Sequence, residues 1–398
     1  MSAPTPQALR RYAAGCLRLD AYLREPGDGR CRPRIPAACL FWALLIGEIL
    51  RECSFLAVEA LVGSSARPHL GVATQFGDDA LSYFTERLQV PRLREALATA
   101  VRQAKRNKAF DDVAYIGLAI DGTGVGHCLK PGCPWCRPRR DPQGKIRDYL
   151  HHFAMISVVG AGFTLPVDVE PYGPGDSEYA AGKRLLGRVV QGLGRRFADY
   201  LVVDGGFATA PFLHAAGAAG LPVIARLKGN LPELYTSAQR RFAGRPPDDS
   251  FVLSGDRIEL WDASDFAPWE NLNWPWVRVL RYRQYKGDGR VVEAYWLTNL
   301  RQRKVGSRSL YKLAKTRWEI ENQGFNDAKN RYGMEHIRHH HANSMLAVWL
   351  ITILALTIER LYRLRHLHRG SHPPLTPVQL LRQLRLALAG VPAPPGTG

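Results

Sequence analysis

Three carboxylates stand at positions where chemistry needs them. Asp121 stops the apolar run VAYIGLAID (113–121), Asp204 stops the short run in DYLVVDGG (199–206), and Glu321 lies within RWEIENQGFNDAK (317–329). On a helix Glu321 shares a face with Trp318 and Phe325, three residues before and four after. A buried carboxylate without a partner is costly. Its partner is either Arg317, one turn upstream, or a cation that the chain does not encode. Three hard oxygen ligands with open positions suit Mg2+, with Mn2+ as the substitute. Two such ions about 3.5–4 Å apart can activate a nucleophile and stabilise a leaving oxygen in phosphoryl transfer. On this reading Asp121, Asp204 and Glu321 are catalytic metal ligands, and the partner of Glu321 is a metal ion with Arg317 nearby. The plainer readings are strand-end turn residues and a surface Arg/Glu pair. Asp111, Asp112, Asp168 and Asp176 are weaker carboxylate candidates, and Glu319, two positions from Glu321, falls on another face.

The elements around these residues have to bring them together. Residues 1–110 have helical patterns at 35–50, 54–63, 78–88 and 91–106, with Asp78 as an N-cap and Pro91 in a first turn. The period then changes. Strands are predicted at 113–121, 149–160 and 163–172, a helix at 177–197, a strand at 199–206, a helix at 209–220 and a strand at 222–228. This is the element order of an α/β, RNase H-like core. There the first and fourth strands lie parallel and adjacent, so Asp121 and Asp204 project from one sheet edge, and a later helix starting near Ser309 carries Glu321 to them. Residues 231–300 break the pattern with alternating segments, a KGDG hairpin turn (286–289) and five of the nine tryptophans. The predicted organisation is a helical DNA-binding region over 1–110, a catalytic core over 111–230 and 301–370, a β-rich insertion over 231–300, and a tail over 371–398 with a disordered end. Trp261, Trp269, Trp274, Trp276 and Trp296 are expected mainly in the core, with stacking on a flipped base as the alternative.

A second constellation is HCLKPGCPWC (127–136). Cys133 and Cys136 have CxxC spacing, and His127 or Cys128, with His151 or His152 as a further ligand, would complete a structural zinc site. The competing reading is reduced, unligated thiols. The histidines of HIRHHHANS (336–344) read as a polar loop.

Charge points to the partner. The net charge is +18, with 16 Lys/Arg against 5 Asp/Glu in 301–398 and 16 against 10 in 1–110, while the middle is close to neutral. Basic flanks around a neutral centre suit a polyanion such as double-stranded DNA; a generally arginine-rich proteome is the bland explanation. The segment ERLYRLRHLHRG (359–370) is expected to add phosphate contacts. The N-terminus lacks the apolar stretch of a signal peptide. The apolar run 345–358 is too short to span a bilayer, so no membrane partner is expected. Seven cysteines are expected as reduced thiols in a cytoplasm.

The segments LAIDGTG, LVVDGGFATAPFL and RWEIENQGFNDAKNRYGMEH resemble the DDE transposases of bacterial insertion sequences, in the branch with a β-domain inserted between the second Asp and the Glu. The resemblance covers roughly 113–345. The family motif is Tyr, two residues, Arg, three residues, Glu, six residues, Lys; Arg317 and Glu321 fit it, Ala314 takes the Tyr position, and Lys329 comes one residue late. The resemblance implies cut-and-paste transposition, Arg317 and Lys329 on transposon-end phosphates, a homodimer joining two ends, and a place on the bacterial nucleoid. The alternatives are a transposase-derived DNA-binding protein without catalysis and an RNase H-like nuclease without strand transfer. A carboxylate-pair glycosidase needs neither the basic charge nor the Arg317–Glu321 motif.

Overall fold

The computed structural model describes residues 4–364 and 375–391. Seven helices come first: α1 (Pro6–Gly15), α2 (Asp20–Arg24), α3 (Ala37–Leu50), α4 (Phe55–Gly63), α5 (Arg67–Leu70), α6 (Asp78–Arg87) and α7 (Val90–Arg106). α3 is apolar on every side and is buried from Leu40 to Leu50, as such a helix must be. α1 buries Pro6, Leu9 and Ala13 along one face and is capped by Thr5, whose hydroxyl accepts from Ala8 N–H at 3.1 Å. Asp78 does not cap α6. Gly77 holds the cap position, and the Asp78 N–H donates to the Glu59 carboxylate at 2.9 Å.

Among the described residues, ten strands form one sheet: β1 (Gly117–Cys128), β2 (Arg137–Arg140), β3 (Ile146–Val159), β4 (Leu165–Pro171), β5 (Tyr200–Val203), β6 (Val223–Leu227), β7 (Asp249–Leu253), β8 (Asp256–Phe266), β9 (Val277–Tyr285) and β10 (Val291–Thr298). β4, β3, β1, β5 and β6 lie side by side, with β1 parallel to β5 and β5 parallel to β6, which is the RNase H-like order. The helices α8 (Glu178–Leu193) and α9 (Ala210–Ala218) make the crossovers. The inserted strands continue this sheet: β10 pairs antiparallel with β6, and β9, β8 and β7 follow. The hairpin between β9 and β10 turns at Lys286–Arg290, with Gly289 at φ +83°. α10 (Pro232–Phe242) lies at the start of the insertion. Trp261 and Trp296 are buried, whereas Trp269, Trp274 and Trp276 are half-buried.

β1 is longer than its apolar run. β5 stops after the pair Ile120–Val203, but β1 continues to Cys128 against β3 alone. Residues 121–124 are therefore half-exposed, and the apolar signal ends while the strand does not.

After the insertion come α11 (Ser307–Lys315), α12 (Arg317–Glu319), which runs on as a π-helix over Ile320–Phe325 and Asp327–Arg331, then α13 (Ala342–Leu364) and α14 (Pro377–Leu388). α13 is long and apolar enough to cross a membrane, yet it is buried along nearly its whole length by α3, α6, α7 and β4. The expected phosphate contacts from 359–364 are not available there: Arg360 is buried against Asp327 at 2.5 Å, and Arg363 pairs with Glu359 at 3.4 Å. A helix packed on both sides turns its arginines to internal carboxylates. Residues 365–370 of that segment and the tail after Val391 lie outside the described residues.

Candidate active site

The parallel register places the first two carboxylates. Asp121 and Asp204 each follow the last β1–β5 pair, so both leave the carboxyl edge of the sheet, where open α/β sheets form their clefts. Lys228 follows β6 at the same edge, and its ammonium meets Asp204 Oδ2 at 3.0 Å. From the other side, Arg317 lies between two carboxylates. Its Nη1 donates to Asp121 Oδ2 at 3.1 Å and its Nη2 to Glu321 Oε1 at 2.9 Å. The guanidinium is thus the protein's own partner of Glu321, as the Arg317 alternative expected. The side chain of Glu321 is 42% exposed, so its carboxylate also reaches the cleft.

Burial pushes the Asp121 carboxyl up to about 7; Arg317 opposes this, and the charges of Glu178 and Glu321 add to it. Burial also pushes Asp204 upward, but the Lys228 hydrogen bond, the Gly205 N–H and the Lys228 charge outweigh it and leave the carboxyl below its ordinary value. Two carboxyls at one sheet edge are thus driven apart by unlike neighbours.

Glu178, the first residue of α8, was not singled out by sequence. Ser177 caps the helix by accepting from Ala180 N–H, which orients Glu178 into the cleft. A Cβ on Gly122 would lie 2.4 Å from Glu178 Cδ, so only glycine lets this side chain approach β1. Burial raises the Glu178 carboxyl; the Gly122 N–H lowers it and the Asp204 charge raises it further. A capping serine followed by an acid, just after the third core strand, is the signal that marks it. Lys228 is the other omission, legible as the first residue beyond the fifth core strand.

The rivals have structural work. Glu319 Oε2 accepts from Gly160 N–H at 2.8 Å and fastens the β3–β4 turn. Asp168 is buried between Arg94 (2.9 Å) and Arg188 (3.0 Å), tying β4 to α7 and α8, and Asp176 pairs with Arg184 at 2.6 Å. Asp111 pairs loosely with Lys108 at 3.9 Å on the surface.

The helix carrying Glu321 is not a plain α-helix. Asn326 N–H bonds back five residues to Glu321 O, and Tyr332 N–H does the same to Asp327 O. A π turn takes up one more residue than an α turn and recurs at functional sites. That extra residue is what Lys329, one position late for the family spacing, requires. Its ammonium reaches Gly124 O on β1 at 2.7 Å and Glu335 at 3.3 Å. An ammonium has three donors, and these contacts use two.

The cysteine region is rearranged relative to expectation. Among the described residues, Cys128, Cys136, His151 and His340 bring their ligand atoms within 4.8 Å of one another. His127 is exposed and lies outside the group, since neighbours on an extended strand point to opposite faces. Cys133 stays at the rim, its Sγ 3.6 Å from that of Cys136. His152 packs against the Tyr172 ring instead, its plane tilted by 36°. His340 comes from the supposed polar loop, while His339 pairs with Glu86 at 2.8 Å. All seven cysteines are free of disulfides.

The architecture is an RNase H-like α/β domain with an acidic cleft at the carboxyl edge of its sheet. The chain belongs to the transposase DDE domain family, whose model matches residues 114–358. No curated protein matches it. Among solved structures, it is similar to a piggyBac transposase determined by cryo-EM as a synaptic complex with hairpin DNA, with a TM-score of 0.48 and 12% identity over 96% of this chain and 80% of that one.

Proposed function

We propose that this chain is a DNA transposase that moves an insertion sequence by cut-and-paste cleavage and strand transfer. The observation that carries the reading is the meeting of Asp121 and Glu321 on Arg317, with Asp204 beside them at the same sheet edge. The donor set is entirely hard carboxylate oxygen, with Arg317 and Lys228 as its paired cations, and such a set fits Mg2+ or Mn2+. Asp121, Asp204 and Glu321 would hold two ions, which would supply Lewis-acid activation of the attacking oxygen and stabilisation of the leaving one.

The chain's own residues do the rest. Arg317 fixes the Asp121 and Glu321 side chains relative to each other. Lys228 keeps Asp204 ionised. The exposed Lys228 and the partly buried Lys329 stand where phosphates would enter the cleft. Trp269, which lines a cleft next to Gly205 and Gly206, is the best placed of the insertion tryptophans to stack on an unpaired base. The basic N-terminal helices are the candidate readers of the inverted repeats, a homodimer would join two ends, and the free thiols suit a reducing cytoplasm.

The test uses DNA spanning both junctions of the gene, incubated with protein with and without Mg2+ or Mn2+, and nicks mapped to the nucleotide. Discrete metal-dependent nicks at an inverted repeat are expected. Binding without any nick would favour a non-catalytic DNA-binding descendant; nicks without joining to target would favour a nuclease.

Two further outcomes follow from the same cleft. Lys228→Ala and Lys329→Ala should each flatten the log–log salt dependence of DNA binding by about 0.9, the value of one phosphate contact. Titration of binding against KCl checks this, and an unchanged slope removes the residue from the DNA interface. Glu178→Gln should lower nicking roughly 10–100-fold and raise the Mg2+ concentration needed for half-maximal rate, as loss of a group behind a metal ligand does. DNA affinity should stay the same.

A further inference from the structure

We propose that Cys128, Cys136, His151 and His340 form a tetrahedral zinc site that fastens the connector after the Glu321 helix onto the strands of the core. The four residues come from four places: the end of β1, the loop before β2, the interior of β3, and the segment leading into α13. Local sequence alone would not assemble them, since His340 lies 204 positions beyond Cys136.

The distances among Cys136, His151 and His340 are close to those the ion requires, and Cys128 completes the set within 4.8 Å. Zn–S bonds of about 2.3 Å and Zn–N bonds of about 2.0–2.1 Å set ligand atoms roughly 3.3–3.8 Å apart around a tetrahedron. Here Cys136 Sγ lies 3.4 Å from His151 Nε2 and 3.2 Å from His340 Nε2, and the two imidazole nitrogens are 3.1 Å apart. The tautomer is also set. His151 is fully buried and its Nδ1 donates to Gly126 O at 2.9 Å, which turns the lone pair of Nε2 toward the other three ligands. Gly132 has no Cβ to obstruct His340; one would lie 2.6 Å from its Nδ1. The Gly132 N–H points at Cys136 Sγ at 3.4 Å, a contact that favours a thiolate there. Two thiolates and two imidazoles in a closed tetrahedron select Zn2+ and leave no open position for substrate, so the role is structural.

The site's place in the fold gives it a purpose. Moving along β1, Asp121 enters the acidic cleft, Gly124 O holds Lys329, Gly126 O holds His151, and Cys128 enters the cluster. Seven residue steps along the strand lead from Asp121 to Cys128, at most roughly 23 Å. The ion would pin the chain just past Lys329 to the same strand that carries Asp121. The inference stands on these residues alone and does not depend on the proposed reaction.

The full-length protein, purified without added metal, is expected to carry about one zinc per chain by elemental analysis. Cys136→Ser and His340→Ala should each lose it, while His127→Ala and Cys133→Ser should keep it. After exchange into Co2+, thiolate-to-metal charge transfer bands and the intense visible bands of tetrahedral cobalt are expected. A strong chelator should lower the Tm of the wild-type protein and leave that of His340→Ala unchanged. Wild-type protein without zinc, and without those bands on Co2+ addition, would overturn the site even if no variant folds. Zinc lost in Cys133→Ser but kept in Cys128→Ser would overturn this ligand set.

Discussion

Asp204→Ala should abolish metal-dependent nicking at the transposon ends while leaving DNA binding intact. The fall in rate is expected to be at least roughly 10²–10³-fold, the scale of losing one preorganised electrostatic group. Asp204 leaves the sheet beside Asp121, and its ammonium partner Lys228 is more than half exposed. Removing the carboxylate takes a negative charge out of the cleft proposed to receive phosphates and releases Lys228. Binding in a gel-shift or anisotropy titration should therefore be unchanged or tighter. Glu319→Gln is the matched comparison. That residue is acidic, half-buried and two positions from Glu321, but it holds the Gly160 N–H of the β3–β4 turn. It should lose some stability and keep its nicking rate. An Asp204→Ala protein that nicks at the wild-type rate would end the proposed assignment of this residue. A Glu319→Gln protein as inactive as Asp204→Ala would end the proposed assignment of Glu321, because the carboxylate of the site would then lie elsewhere on that helix.

Much of the fold was legible because its signals are local. Buried parallel strands such as LVV before Asp204 read as short apolar runs, and the glycine-closed helices between them leave little choice of topology. What stayed hidden depends on contacts between distant segments. The extension of β1 beyond Asp121 is invisible because its apolar signal stops where β5 stops, not where β3 stops. The π turns of the Glu321 helix leave only a one-residue discrepancy in the spacing of Lys329. Glu178 looks like an ordinary first-turn acid until Gly122 is seen to leave room for it. In the cysteine cluster, Cys128, Cys136 and His151 were legible as candidates; CxxC spacing also pointed to Cys133, whereas the fold brings His340 to the group from the loop after residue 335. Spacing can suggest ligands within one hairpin, but not ligands brought by another element.

The same connector holds a buried ion pair, and its removal should be the largest effect on stability. Glu48, in the last turn of the apolar helix α3, meets Arg338 at 2.7 Å, with both side chains 1–2% exposed. Burial raises the Glu48 carboxyl, and the Arg338 charge opposes it. Arg338→Met leaves the carboxylate buried without its nearest cation, a change that typically costs about 3–5 kcal/mol. The pH dependence has a definite sign. A carboxyl raised in the folded state binds its proton more tightly there than in the unfolded chain. Stability is therefore lost as pH rises from the unfolded value through the folded one. Without Arg338 the folded value rises further, so the window extends upward and the loss deepens. Urea unfolding across a pH series should show wild type and Arg338→Met close together in acid and diverging toward neutral pH. Glu48→Leu combined with Arg338→Met should recover most of the loss, since an apolar pair of similar volume does not carry the desolvation cost. If the gap is constant across pH, the pair is not the cause and repacking is. Arg338 stands two residues before His340, so α3 and the core strands hold the same short segment from two sides. The N-terminal helices are thereby coupled to the chain that leaves Glu321.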